Sequence, residues 1–265
     1  MDAVSGVFKT RAEAESAVAE IRKTIPADRV TLLTPGSENQ IENEVQAVPV
    51  DETEQPGMGK AIGALLGGGL GITGGSLLIG LVPGIGPVTA LGLLGAGILG
   101  AAGAVIGGTA GGKVENAATE GLPHDEIFVY EDALRQGRSV VIALAEDEEA
   151  AVPVRNLMTA AGAETIDAAR EQWWTGLRTA EEGHYSKSGT NFGGDEKFYR
   201  LGFEAALHTK NRCVEFDQVS GQMNAALEEV QQKYPGANVE QAFVRGYQRG
   251  REHYETLCNE QNKAA

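Results

Sequence analysis

AIGALLGGGLGITGGSLLIGLVPGIGPVTALGLLGAGILGAAGAVIGGTAGG, residues 61–112, runs for 52 residues between Lys60 and Lys113 without one charged side chain. All 37 Asp and Glu residues of the 265-residue chain lie outside it. Glycines recur at every fourth position, Gly59, Gly63, Gly67, Gly71 and Gly75, and a second ladder follows at Gly92, Ala96, Gly100, Ala104, Gly108 and Gly112. On a helix each ladder forms one stripe of small residues, along which two backbones can approach closely.

Glycine costs about 1 kcal/mol relative to Ala in a water-exposed helix interior, so an isolated helix this rich in glycine would melt. Two environments compensate. A bilayer makes unpaired backbone groups too costly to expose, and a partner helix can pack along the bare stripe. Pro83-Gly84-Ile85-Gly86-Pro87 breaks the segment once and predicts a tight reversal. The expectation is a helical hairpin with arms at 61–82 and about 87–112. The first arm holds ten Leu, Ile or Val, and its 22 residues would rise about 33 Å, close to the hydrocarbon thickness of a bilayer. Ten aliphatics contribute only about −3 to −6 kcal/mol to insertion, so paired arms are favoured over a solitary one. Lys60 and Lys113 would bracket the pair on the same side, leaving both soluble parts in the cytoplasm.

The flanks supply the context. A net charge of −15 argues against nucleic acid and against electrostatic docking on anionic lipid. Met1-Asp2-Ala3-Val4 opens without a basic stretch leading into an apolar run, so no secretory signal is expected. Cys213 and Cys258 lack CxxC spacing and read as reduced thiols.

Val4-Ser5-Gly6-Val7-Phe8 reads as a strand. Thr10 and Glu13 form a capping box for a helix reaching about Thr24, with Ala14, Ala17, Val18 and Ile21 inward, and Val30-Thr31-Leu32-Leu33 is a second strand. After the apolar segment comes a matching set: a helix from about His124 to Gln136, a strand at Ser139–Leu144, a helix from about Asp147 to Ala161 and a strand at Glu164–Asp167. Two β-α-β halves give an α+β fold, a ferredoxin-like sandwich interrupted by the glycine-zipper hairpin and followed by an all-α C-terminal bundle. The expected organisation is 1–34 as the first half, 35–58 as an acidic linker, 59–116 as the hairpin, 117–168 as the second half and 169–265 as the helical domain.

The opening Val4-Ser5-Gly6-Val7-Phe8, the zipper with Pro83-Gly84-Ile85-Gly86-Pro87, and Gly121-Leu122-Pro123 leading into Tyr130-Glu131-Asp132-Ala133-Leu134-Arg135-Gln136-Gly137 together resemble bacterial general stress proteins with a heat-induced (YflT-type) stress domain. The resemblance covers about residues 3–168. It implies a ferredoxin-like domain with a glycine-zipper insert and a link to stress, and supplies no catalytic residues.

In the C-terminal hundred residues, Phe198-Tyr199-Arg200-Leu201-Gly202-Phe203 and Phe243-Val244-Arg245-Gly246-Tyr247 form a weak internal repeat around a long helix, about Glu215–Tyr234, ended by Pro235-Gly236. Packing of a small bundle explains these aromatics better than ligand binding by Arg200, Arg245, Arg249 and Arg251. Trp173-Trp174 reads as packing before it reads as an interfacial anchor.

Several motifs are decoys. Gly69-Leu70-Gly71-Ile72-Thr73-Gly74 and Gly95-Ala96-Gly97-Ile98-Leu99-Gly100 fit GxGxxG, but neither follows an expected strand. Gly107 to Lys113 has P-loop spacing, yet Val114 stands where Ser or Thr would reach magnesium. His124, His184, His208 and His253 show no paired-ligand spacing, and no GxSxG occurs. No enzyme activity, cofactor or metal is expected. The leading expectation is a non-enzymatic, self-assembling, stress-associated membrane protein at the cytoplasmic face of the inner membrane, both termini cytoplasmic, its partners being itself and a lipid bilayer. The alternative is a cytoplasmic soluble homo-oligomer or filament with the hairpins as a dry core, and a small-ligand-binding protein or enzyme stands third.

Overall fold

Short, largely apolar runs such as residues 30–33 and 140–145 form the strands of the central sheet in a computed structural model describing residues 1–36, 77–82, 85–91, 125–187 and 191–264. The protein is mixed α and β. By internal contacts it divides into a sheet unit, residues 1–123 and 129–169, and a helical unit, residues 124–128 and 170–265.

In the sheet unit the described elements run β1 (Asp2–Phe8), α1 (Arg11–Ile21), a 3-10 turn (Ala27–Arg29), β2 (Val30–Pro35), β3 (Leu77–Val82), β4 (Gly86–Leu91), α2 (Ile127–Arg135), β5 (Ser139–Ala145), α3 (Glu148–Ala160) and β6 (Glu164–Thr165). The strand order is β3-β4-β2-β5-β1-β6, with every pairing antiparallel. Central strand β5 joins the halves: Val4 lies opposite Ala143 on one side and Leu32 opposite Val141 on the other.

Local chemistry explains the helix starts. The capping box is present, with Glu13 N–H donating to Thr10 Oγ1 at 3.2 Å and Thr10 N–H to the Glu13 carboxylate at 3.1 Å. Asp147 caps α3 by accepting from Ala150 N–H at 2.9 Å. Ala14, Ala17, Val18 and Ile21 are buried as expected, and pack with Val4, Phe8, Leu32, Val141, Ala143, Ala151, Val154 and Met158 into one core between the sheet and α1 with α3. The last strand is shorter than expected. Thr165 pairs with Gly6 and also accepts from Ala168 N–H at 3.2 Å, so it caps the helix that starts at Ile166 and ends the strand there.

One expectation is corrected. The helical hairpin was to run through Val82 and resume at Pro87, but six residues on either side of the turn are strands β3 and β4. The register sets Val82 opposite Gly86 and Leu77 opposite Leu91, with Ile85 N–H donating to Val82 C=O at 3.0 Å in the reversal. A short apolar run beside a turn fits a strand or a helix equally well by periodicity. The neighbour decides: β4 pairs with β2 from Leu32↔Leu91 to Pro35↔Val88. Pro87, which has no N–H, lies just past the end of that ladder.

In the helical unit, α4 (Ile166–Ser186, whose first residues belong to the sheet unit), α5 (Phe192–Leu207), α6 (Phe216–Lys233) and α7 (Val239–Ala264) follow in order. Helices α4 and α5 are antiparallel, because their contacts step in opposite senses: Tyr185 meets Phe192 at 5.6 Å, Arg178 meets Glu196, and Trp174 meets Phe203 at 5.9 Å. Helix α6 ends at Tyr234, with Gly236 at φ +83 beyond it.

Candidate functional site

Two regions carry the residues that the sequence singles out, and they lie in different units. The first is the apolar segment. Gly59, Gly63, Gly67, Gly71, Gly75, Gly92, Ala96, Gly100, Ala104, Gly108 and Gly112 lie outside the described residues, as do Pro83, Gly84, both GxGxxG matches, Lys113 and the acidic linker from residue 37 onward. Gly86 and Pro87 fall in β4. The β3–β4 ladder ends with Leu77 and Leu91 as register partners. Thr34 and Thr89 tie β4 to β2 through a buried 2.6 Å hydroxyl–hydroxyl bond. Among the described residues no helix is long and apolar enough to cross a membrane.

The second region is the crossing of α5 and α7, where the two halves of the repeat meet. A Cβ on Gly202 would fall 1.9 Å from Phe243 O, and one on Gly246 would fall 1.9 Å from Tyr199 O. The contacts are reciprocal, each glycine resting on the carbonyl three residues before the other. Gly250 faces Phe203 O and Ala206 in the next turn. Because the pairs advance together along both chains, the helices cross in the same direction, along Gly202-xxx-Ala206 and Gly246-xxx-Gly250. The repeat was legible as aromatic–glycine spacing; that its two copies pack on each other was not.

Charge pairs surround this crossing. Glu181 is 1 % exposed and accepts from Tyr199 Oη at 2.7 Å and from Arg249 Nε at 3.0 and 3.2 Å. Burial, then the hydrogen bond to Glu181, pushes the Tyr199 hydroxyl well above its usual range. Arg249 also reaches Glu252 at 3.2 Å. Arg200 pairs with Glu171 and Glu204, Arg251 with Glu215 and Glu255, and Arg245 lies 5.2 Å from the centre of the Tyr185 ring. All four arginines of the ligand-binding alternative thus have partners within the unit. Their arrangement ties helices together.

The tryptophans pack. Trp173 and Trp174 are 5 % and 3 % exposed; Trp173 lies 4.9 Å from Phe128 and 5.8 Å from Phe203, and Trp174 Nε1–H donates to Glu196 at 3.0 Å. Arg178 holds the Glu196 carboxyl below its usual range, with Trp174 adding to the effect. His208 stacks near Phe128 at 6.4 Å, and burial lowers its pKa; Asp125 opposes that shift while Arg170 and Arg212 reinforce it. Both cysteines are free thiols. Among the described residues no cluster of His, Cys, Asp and Glu could hold a metal ion.

No family model, no curated protein and no solved structure matches the chain.

Proposed function

We propose that this is a non-enzymatic, self-assembling protein whose glycine-rich segment 61–112 packs against copies of itself. The observation that carries the reading is the charge-free run of 52 residues set between two halves of one sheet unit. Strand order β2-β5-β1-β6, with α1 and α3 on one face, is in this reading a ferredoxin-like split β-α-β. The β3–β4 hairpin extends it at the edge beyond β2. Since β2 and β5 pair directly, the halves meet without help from an intervening strand, and the insert is available for association.

A soluble homo-oligomer with a dry core fits the hairpin best. With β3 and β4 in the sheet, the remaining charge-free chain is 61–76 and 92–112. As helices these would measure about 24 and about 32 Å, and the shorter falls below the roughly 30 Å of a hydrocarbon core. Spanning from Lys60 to Lys113 as one hairpin requires β3 and β4 to leave the sheet. The second reading is that they do so at a bilayer, on the cytoplasmic face of an inner membrane, and the length and hydropathy of 61–112 favour it. A connection to stress comes from the motif resemblance alone.

Mass measurement of protein prepared without detergent tests assembly. A high-mass particle that shrinks in the Gly67→Leu, Gly71→Leu double variant is the expected result; a monomer, or a particle of unchanged mass in the variant, ends the proposal. Flotation on a density gradient with an alkaline carbonate wash separates the two environments, because only an inserted protein resists the wash.

A further inference from the structure

The two edges of the sheet are built differently. At one end β6 is two residues long, its Glu164 pairs with Arg138 at 2.7 Å, and Thr165 ends it by capping α4. Past those two residues the edge passes to β1, which begins at the charged Asp2. Shortness, charge and an abrupt turn into helix are devices that keep an edge from recruiting another strand. At the other end stands β3, Leu77-Leu78-Ile79-Gly80-Leu81-Val82, six residues with neither charge nor proline. All six have register partners in β4, and among the described residues no strand lies beyond β3.

In an antiparallel ladder the N–H and C=O groups of alternate residues point toward the partner strand, so every second residue of β3 turns its pair away from β4. Such a row on an apolar edge strand is a template for one more strand. We propose that β3 pairs antiparallel with β3 of a second copy, joining two sheets edge to edge about a two-fold axis. The proposal rests on the self-association proposed above, though not on the glycine ladders, and names the backbone surface at which copies meet. A second copy fits because β3 is complementary to itself: rotation about the axis sets donors against acceptors, and one contact satisfies both edges and closes. Charge selects the same place. Two copies of a chain of net charge −15 repel, and repulsion is least at β3, because residues 61–76 before it and 83–112 after it are all uncharged. The guarded edge at β6 offers no second surface of this kind, so the joined sheet stops at two copies.

A cysteine scan tests the pairing and its register. In the full chain with Cys213→Ser and Cys258→Ser, single cysteines are placed in turn at each position from 77 to 82, particle mass is measured, and the thiols are oxidised with diamide. With the axis near the middle of β3, Ile79 or Gly80 faces its own copy, and each step away from the axis separates equivalent residues by about 7 Å, soon beyond the reach of a disulfide. Ile79→Cys or Gly80→Cys should therefore give disulfide-linked dimers about tenfold faster than Leu77→Cys and Val82→Cys; the six-position profile still reads the axis if one variant fails to fold. Any other profile in an assembled protein, including no cross-linking, overturns the inference and leaves the glycine-ladder reading standing. A monomeric parent ends both. Cross-linking centred on 79 or 80 that persists, at unchanged mass, after Gly67→Leu and Gly71→Leu are added upholds the edge contact and counts against the glycine ladders alone.

Discussion

Glycine ladders occur in both units of this protein, with opposite surroundings. In segment 61–112 the small residues stand in 52 uncharged positions; at the α5–α7 crossing, Gly202, Gly246 and Gly250 stand in helices that also carry Arg200, Glu204, Arg249 and Arg251. The second case shows what such a ladder does once its partner is known. A missing Cβ lets each backbone rest on the other's carbonyls, while charged side chains on the remaining faces pair at the surface of the contact. Spacing of small residues thus reports close backbone packing; it does not report the solvent. Whether the packing faces lipid, water or another helix is set by the residues between the glycines.

The largest expected effect breaks the crossing. Gly246→Ala puts a methyl into the Tyr199 carbonyl, and parting the helices should cost about 3 kcal/mol or more, read as a lower urea midpoint by fluorescence of Trp173 and Trp174. Removing the ion pair beneath the crossing comes next: Arg249→Met leaves Glu181 buried with Tyr199 as its hydrogen-bond donor, at a cost of about 3 kcal/mol by the same denaturation. Gly221 in α6 sharpens the contrast, because a Cβ there meets nothing within 4 Å. Gly221→Ala should stabilise by up to about 1 kcal/mol, and a loss of stability would show that the helix makes a contact of another kind. In the sheet unit, Thr89→Val strands the buried Thr34 hydroxyl and should cost about 1 kcal/mol, with faster amide exchange confined to β3 and β4.

The smallest effect is one of pH. The folded His208 pKa lies below its ordinary value, so the unfolded chain binds the proton first. Stability from this group is present above about pH 6.5 and is lost as pH falls through the lowered folded value. Melting temperatures from pH 7.5 downward should fall more in the parent than in His208→Gln; parallel curves would remove His208 as the cause.

Much of the sheet unit was legible because its signals are local. Thr10 and Glu13 lie within hydrogen-bonding reach along one turn, and the apolar face of α1 follows from 3.6-residue periodicity. The β3–β4 hairpin was misread for an equally physical reason. Leu77–Val82 and Gly86–Leu91 satisfy the hydrophobic pattern of a helix arm and of a buried strand, and the choice depends on β2, over fifty residues before β4 in the chain, offering residues 32–35 as the partner of residues 88–91. The tryptophans and the four arginines were legible as packing from their helical setting, but their partners were not, since Glu181 and Arg249 are 68 residues apart.

By itself, then, the sequence determined where charge is absent, where helices start, and that aromatic–glycine motifs recur in the C-terminal hundred residues. Each of these depends on side-chain type and on spacing within a turn or two. Tertiary structure decided that the centre of the apolar run is strand, that Gly202 and Gly246 face each other, and that Glu181 is buried against Arg249 and Tyr199. Those outcomes depend on which surfaces meet across long stretches of chain, and ladder bonds, carbonyl contacts and buried ion pairs form only after that meeting.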